Sequence, residues 1–204
     1  PGGAAAAPGP TRHRAAAHET VGRPEAPTVA SRAQLDPATL REQGAGPMST
    51  YVVDYEDAVR PEWIDSNGHM NLAYYVVAFD HATDRLYTAL DIGDAYREAS
   101  NFSCFTAETH TLYERELLLG EKLIVRSYLL GADAKRVHYF HEMFHAESGQ
   151  RAAAQELLAL HIDMRIRRVA PFPAERQAAL AAAVARWRPA ELPKGAGRKI
   201  ALPG

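Results

Sequence analysis

The chain has 204 residues, 47% of them hydrophobic and 24% charged, with a formal net charge of −2. That is enough for one domain with its own core, and the near-neutral balance gives no electrostatic case for nucleic acid or an anionic membrane as partner. A single cysteine, Cys104, excludes an internal disulfide and suits a reducing, cytoplasmic compartment, and no apolar run approaches the roughly 18 residues that span a bilayer.

Residues 1–47, beginning PGGAAAAPGP, hold seven of the thirteen prolines, six of the fourteen glycines and no aromatic residue. Such a segment cannot bury enough apolar surface to offset its ordering entropy, so it reads as a disordered leader. It is either an inter-domain linker from a larger polypeptide or upstream sequence translated ahead of Met48. It lacks the basic start and apolar run of a secretory signal. The folded domain is expected over 48–171, followed by a C-terminal helix and tail over 172–204.

From Tyr51, YVVDYEDAVRPEW carries a short strand pattern that ends at Pro61. DSNGHMN then supplies turn and cap residues. Leu72, Tyr75, Val76, Phe79, Ala82, Leu86 and Leu90 recur at three- and four-residue steps. That spacing predicts a helix of about five turns with a broad apolar face, stopping near Gly93. Four strand-like segments follow, separated by short turns: 103–117, EKLIVRSYLL, RVHYFHEMFH and AAAQELLALHIDMRI. Residues 172–187 read as an Ala-rich helix. Strand, long helix, four strands, helix is the order of an α+β domain in which one antiparallel sheet of five strands wraps a long helix.

One stretch offers a rival chemistry. HEMFH at 141–145 is a literal H-E-x-x-H, which on a helix would hold zinc. Two histidines four residues apart are about 6 Å apart in a helix but roughly 13 Å apart in a strand. The segment starts at a β-branched valine, is dense in aromatics and is bounded by turns. No third ligand follows, since positions 163–165 are Asp163, Met164 and Arg165. The pattern is read as a coincidence within a strand, with no metal.

The stretch that carries chemistry is RPEWIDSNGHMNLAYY, 60–75. Asp65, Asn67 and His69 alternate into the first turn of the long helix at Asn71. A helix N-terminus presents free N–H groups that can polarise a carbonyl, and a carboxylate just ahead can activate water or attack directly. On spacing alone, Asp65 or Asn67 could equally be a helix cap, and His69 a structural hydrogen-bonder.

These residues resemble the hotdog-fold acyl-CoA thioesterases, and Asp-x-Asn-x-His resembles the catalytic run of the related acyl-carrier-protein thioesterases. The similarity is closest to the betainyl-CoA thioesterases, found alone or fused behind carnitine dehydrogenases. FTAETHTLYERE, DAKRVHYFHEMFH, ELLALHIDMRIRRVAPFP and AGRKIALP share it, so it covers about 51–202. The resemblance implies a hotdog fold and hydrolysis of a small acyl-CoA, with CoA present only as part of the substrate and no other cofactor. It makes Asp65 the base or nucleophile and gives Asn67 the positioning of thioester or water. His69 and the N–H groups near Gly68 and Met70 would face the thioester oxygen. Glu116, expected on the following strand, would hold the water, although Glu108 and Glu114 share its parity. A quaternary ammonium acyl group asks for aromatic faces, and Trp63, Tyr74 and Tyr113 lie near the site in sequence or strand order.

Two other readings fit the same fold: an enoyl-CoA hydratase or dehydratase, and an acyl-CoA-binding module that does not turn over. By analogy with the fold, a homodimer or homotetramer is expected. Fusion or association with a carnitine dehydrogenase is the other partnership the resemblance implies.

Overall fold

The computed structural model describes residues 51–202, so the reading of 1–47 as a disordered leader lies outside the described residues. Six strands form one antiparallel sheet: β1 (Val53–Ala58), β2 (Phe102–Tyr113), β3 (Lys122–Ala132), β4 (Arg136–His145), β5 (Arg151–Asp163) and β6 (Arg168–Val169). Their order across the sheet is β1-β3-β4-β5-β2, with the two-residue β6 added to β5. The expected five strands are all present. The sixth, too short to show a period, comes from the chain folding back after Asp163, where Arg167 takes a φ of 52°.

Among the described residues, three α-helices accompany the sheet: α1 (Leu72–Ala89), α2 (Asp94–Ser100) and α3 (Ala174–Trp187). α1 lays Phe79, Ala82 and Leu86, none of them exposed, against Leu123, Val125 and Met143 at one end and Leu129, Val137 and Tyr139 at the other. Strand residues on that face alternate with an opposite set, Tyr128, Leu130, Phe140 and Ala154, which packs with Ala196 of the C-terminal tail. Both faces of the sheet are therefore covered. α3 adds Leu180 and Ala183 to the same core as the second half of α1.

Two details of α1 differ from its periodicity. Leu72 and Val76 belong to the apolar repeat yet are 63% and 40% exposed, because the buried stripe runs through Tyr75, Phe79, Ala82 and Leu86 and leaves them on its flank. The stop is also not at Gly93. Asp91 takes the left-handed conformation at φ 57°, and the Ile92 N–H reaches back to the Tyr87 carbonyl while its side chain is buried. That is a Schellman ending with an aspartate in the position glycine usually fills. Gly93 instead precedes α2, a helix the sequence pattern did not announce.

HEMFH lies wholly within β4. His141 is fully buried against Phe79, and His145 is paired with Glu121 at 3.4 Å. In a strand the two imidazoles cannot close on one ion, so the zinc-peptidase geometry is not formed.

Candidate active site

The chain between β1 and α1 is folded by its own turn residues. The Asp65 N–H donates to the His69 carbonyl at 3.1 Å, the Gly68 N–H to the Asp65 carbonyl at 3.0 Å, and an isolated bridge joins Ile64 to Met70. Gly68 sits at φ 84°, where a side chain would be strained. Asn71 caps α1, its Oδ1 accepting from the Ala73 N–H at 3.0 Å. The result is a tight five-residue loop at the helix N-terminus.

Asp65 is the pivot of that loop. Its Oδ1 accepts from the Asn67 N–H at 2.8 Å and its Oδ2 from Asn71 Nδ2 at 3.4 Å. His69 Nδ1 stands 4.0 Å from Oδ1, and the carboxylate is 20% exposed. A carboxylate oriented by two donors, open to water on one side and next to an imidazole is equipped for proton transfer.

The expected oxyanion donors are fewer than the loop first offered. The Gly68 N–H is spent on Asp65, and the Met70 N–H donates to the Leu117 carbonyl at 2.8 Å. The Asn71 N–H goes to the Trp63 carbonyl at 2.9 Å. The His69 N–H has no acceptor among the described residues, which leaves it available to an incoming oxygen.

Glu116 is not on a strand. β2 ends at Tyr113, where the N–H groups of Glu114 and Arg115 both turn to the Ala152 carbonyl and the ladder stops. Beyond it, Tyr75 Oη donates to the Arg115 carbonyl at 3.2 Å and accepts from the Leu117 N–H at 3.0 Å, gripping the backbone on both sides of Glu116. With Leu117 also bonded to Met70, the exposed Glu116 is carried on a segment tied to both the Asp65 loop and α1. The helical spacing puts Tyr75 on the apolar stripe of α1. It is buried, and it is also the clamp of this segment, a role its spacing could not reveal.

The three glutamates of one parity are now separable. Glu114 is held by Arg151 through two bonds of 2.6 and 3.0 Å, and the guanidinium keeps its carboxyl below the usual range. Glu108 is exposed on the middle of β2, next to a register break after Thr106. It is five residues from Tyr113, roughly 17 Å along an extended strand. Of the three, Glu116 is the one whose next residue, Leu117, is bonded to Met70 of the Asp65 loop.

The aromatic residues separate in the same way. Trp63 is 3% exposed, with Tyr74 stacked on it at 5.6 Å and the Arg60 guanidinium 4.8 Å from its ring centre. As a core residue covered by Tyr74 and Arg60, it offers no open face to a substrate. Tyr113 remains 47% exposed. A cleft of about 470 Å³ opens beside the gripped segment, lined by Glu116, Leu117, Glu121, His145 and Gln150 among others. Asp65 is not among the residues that line that cleft.

Comparison with known proteins shows the family of the chain. The model of the thioesterase-like superfamily matches residues 59–180. A betainyl-CoA thioesterase of Pseudomonas aeruginosa is 39% identical over 156 residues, which is 76% of this chain and 98% of that one. An L-carnitine dehydrogenase/betainyl-CoA thioesterase of Rhizobium meliloti is 35% identical over 142 residues, 70% of this chain but 28% of that longer one. Among solved structures, a Staphylococcus aureus protein in complex with CoA superposes with a TM-score of 0.65 at 30% identity, covering 74% of this chain and 94% of that one.

Proposed function

Because this chain belongs to the thioesterase-like superfamily, we propose that it hydrolyses betainyl-CoA to betaine and free CoA at the Asp65 loop. It is a thioester hydrolase acting on an acyl-CoA; the acyl group and the residue roles are the proposal. The observation that carries it is the Asp65 carboxylate, held by the Asn67 N–H and Asn71 Nδ2 at the start of α1. A sensor that only binds acyl-CoA has no use for such a group, and neither relative compared above is a hydratase.

In this reading Asp65 takes a proton from water as the water oxygen attacks the thioester carbonyl carbon. The oxyanion that forms is met by the His69 N–H, and the C–S bond then breaks. The CoA thiolate recovers the proton from Asp65, so the carboxylate is regenerated each turnover. Glu116 holds the water from the other side. The fused relative's name joins this activity to a carnitine dehydrogenase, which supports a quaternary ammonium acyl group. No step calls on a metal or other cofactor.

The site is completed, in this proposal, by a second copy of the chain. β2 ends the sheet with its outer edge unpaired among the described residues. Val76 and Val77 on α1 and Phe105 on β2 are all more than a third exposed. Edges and apolar surface of this kind favour association. No helix among the described residues is long and apolar enough to cross a membrane.

The test is release of free thiol from a panel of acyl-CoAs that includes betainyl-CoA, with chelator present and the assembly state measured by light scattering. Thiol release fastest from betainyl-CoA and indifferent to chelator supports the reading; binding without thiol release sinks it. Within the same assay, Glu116→Gln is expected to lower kcat by about 10- to 100-fold, the lower part of what a positioned proton-transfer or water-holding group supplies. Glu108→Gln should leave kcat unchanged, and the reverse result would exchange their roles.

A further inference from the structure

Four aromatic side chains gather round the start of α1, and Trp63 and Tyr75 are closed while Tyr74 is half-buried. Trp63 is covered by Arg60 and Tyr74, Tyr74 is stacked on Trp63, and Tyr75 is 3% exposed with its hydroxyl committed to the Arg115–Leu117 backbone. Tyr113 differs. Its ring stands at 88° to that of Tyr75 with 5.4 Å between centres, and its hydroxyl donates to the Leu72 carbonyl at 3.3 Å. Those two contacts fix the ring in orientation while 47% of the residue stays open. Leu72, 63% exposed, forms an apolar rim beside it, and the residue before Leu72 is Asn71, whose amide reaches Asp65. An oriented, open aromatic face therefore stands within a few residues of the carboxylate.

We propose that Tyr113 is the specificity-determining residue of the acyl pocket, binding the trimethylammonium group of the substrate on its ring face. The inference rests on the thioesterase reading above and deepens it. A quaternary ammonium has no N–H to donate, so hydrogen-bonding side chains cannot recognise it; a ring quadrupole or a negative field can. The Asp65 and Glu116 carboxylates supply the field, and Tyr113 supplies the most exposed ring of the four. The guanidinium of Arg60 already occupies the better cation acceptor, Trp63. In betainyl-CoA the nitrogen is one methylene from the thioester carbon, so the two ends of the acyl group need a ring and a carboxylate that are close neighbours.

The experiment compares betainyl-CoA with 3,3-dimethylbutanoyl-CoA, in which carbon replaces nitrogen and the shape is kept without the charge. The wild-type chain is expected to prefer the cationic ester. Tyr113→Leu should lower kcat/KM for betainyl-CoA by roughly 5- to 30-fold, the span of a cation–π contact from exposed to desolvated, and leave the neutral ester nearly unchanged. Tyr113→Phe keeps the ring, loses only the bond to Leu72, and should retain most of the preference. Equal loss on both esters would assign Tyr113 to packing or to a subunit contact and overturn the inference, as would no change on either. Thiol release from neither ester by the wild-type chain would overturn the thioesterase reading itself, which is a separate outcome.

Discussion

Replacing Asp65 by asparagine is expected to lower kcat for thioester hydrolysis by about 10³-fold, the middle of the range for a general base. The substitution is chosen for what it keeps. An asparagine Oδ1 still accepts the Asn67 N–H that Asp65 accepts at 2.8 Å, so the turn that presents His69 and starts α1 survives. What it loses is the second basic oxygen, Oδ2, now held loosely by Asn71 at 3.4 Å. Asp65→Ala removes the turn bond as well, and should cost about 1 kcal/mol of stability on top of the same kinetic loss. Thiol-release kinetics and urea unfolding of the two variants separate the effects. Full activity in Asp65→Asn would reduce Asp65 to a turn residue and leave the loop without a base. A single turnover in ¹⁸O-water adds a second reading of the same carboxylate. Label entering the Asp65 carboxylate marks an anhydride opened at the aspartyl carbon, an outcome that direct attack by water cannot give.

The second large effect is on stability, and it comes from the histidine that the zinc pattern singled out. His141 is fully buried between Phe79, stacked at 5.8 Å, and Tyr139. Thr83 donates its hydroxyl proton to the Phe79 carbonyl at 3.0 Å, so its oxygen can only accept from His141 Nε2 at 2.9 Å. That leaves Nδ1 to accept from the Ser127 hydroxyl at 3.0 Å. The ring is thus neutral with its proton on Nε2, and burial pushes its pKa down to about 3. In the unfolded chain the same ring takes a proton below about pH 6.5. The unfolded state therefore binds more protons between these values, and stability falls as the pH drops from about 6.5 towards 3. The loss between pH 7 and 4 should be about 3 kcal/mol at 1.36 kcal/mol per pH unit. Glu114, Asp133 and Asp163, whose carboxyls are held low by Arg151, Arg136 and Arg165, lose stability in the same direction on acidification. The contribution of His141 is therefore read as a difference. His141→Gln should be less stable at pH 7 yet lose less on acidification, and parallel curves for the two proteins would refute the assignment.

Much of this was legible in the chain itself. The alternation in β3, β4 and β5 and the three- and four-residue steps of α1 are local consequences of period, and the helix and strands stand where those periods put them. The Asp65–Asn71 loop was legible for a related reason, since its Asx turn, its glycine at positive φ and its cap are all made by neighbours in sequence. Neither the second helix nor β6 carries enough residues to show a period.

By itself, then, the sequence determined the α+β order and the loop that bears Asp65, because each depends on residues within a turn or two of one another, whereas HEMFH, whose apolar spacing also allowed a helix, was settled as strand by its pairing in the sheet. Tertiary structure alone separated the three glutamates and left Tyr113 the most exposed of the aromatic rings near the loop. Glu108, Glu114 and Glu116 are equivalent by parity, and only the end of the ladder at Ala152 and the pull of Arg151 on Glu114 distinguish them. Trp63 and Tyr113 are equally near the loop, and only the positions of Arg60, Tyr74 and Tyr75 close the first and orient the second. Contacts between residues about forty positions apart, such as Tyr75 with Arg115 and Leu117, set those choices, and no local pattern encodes them.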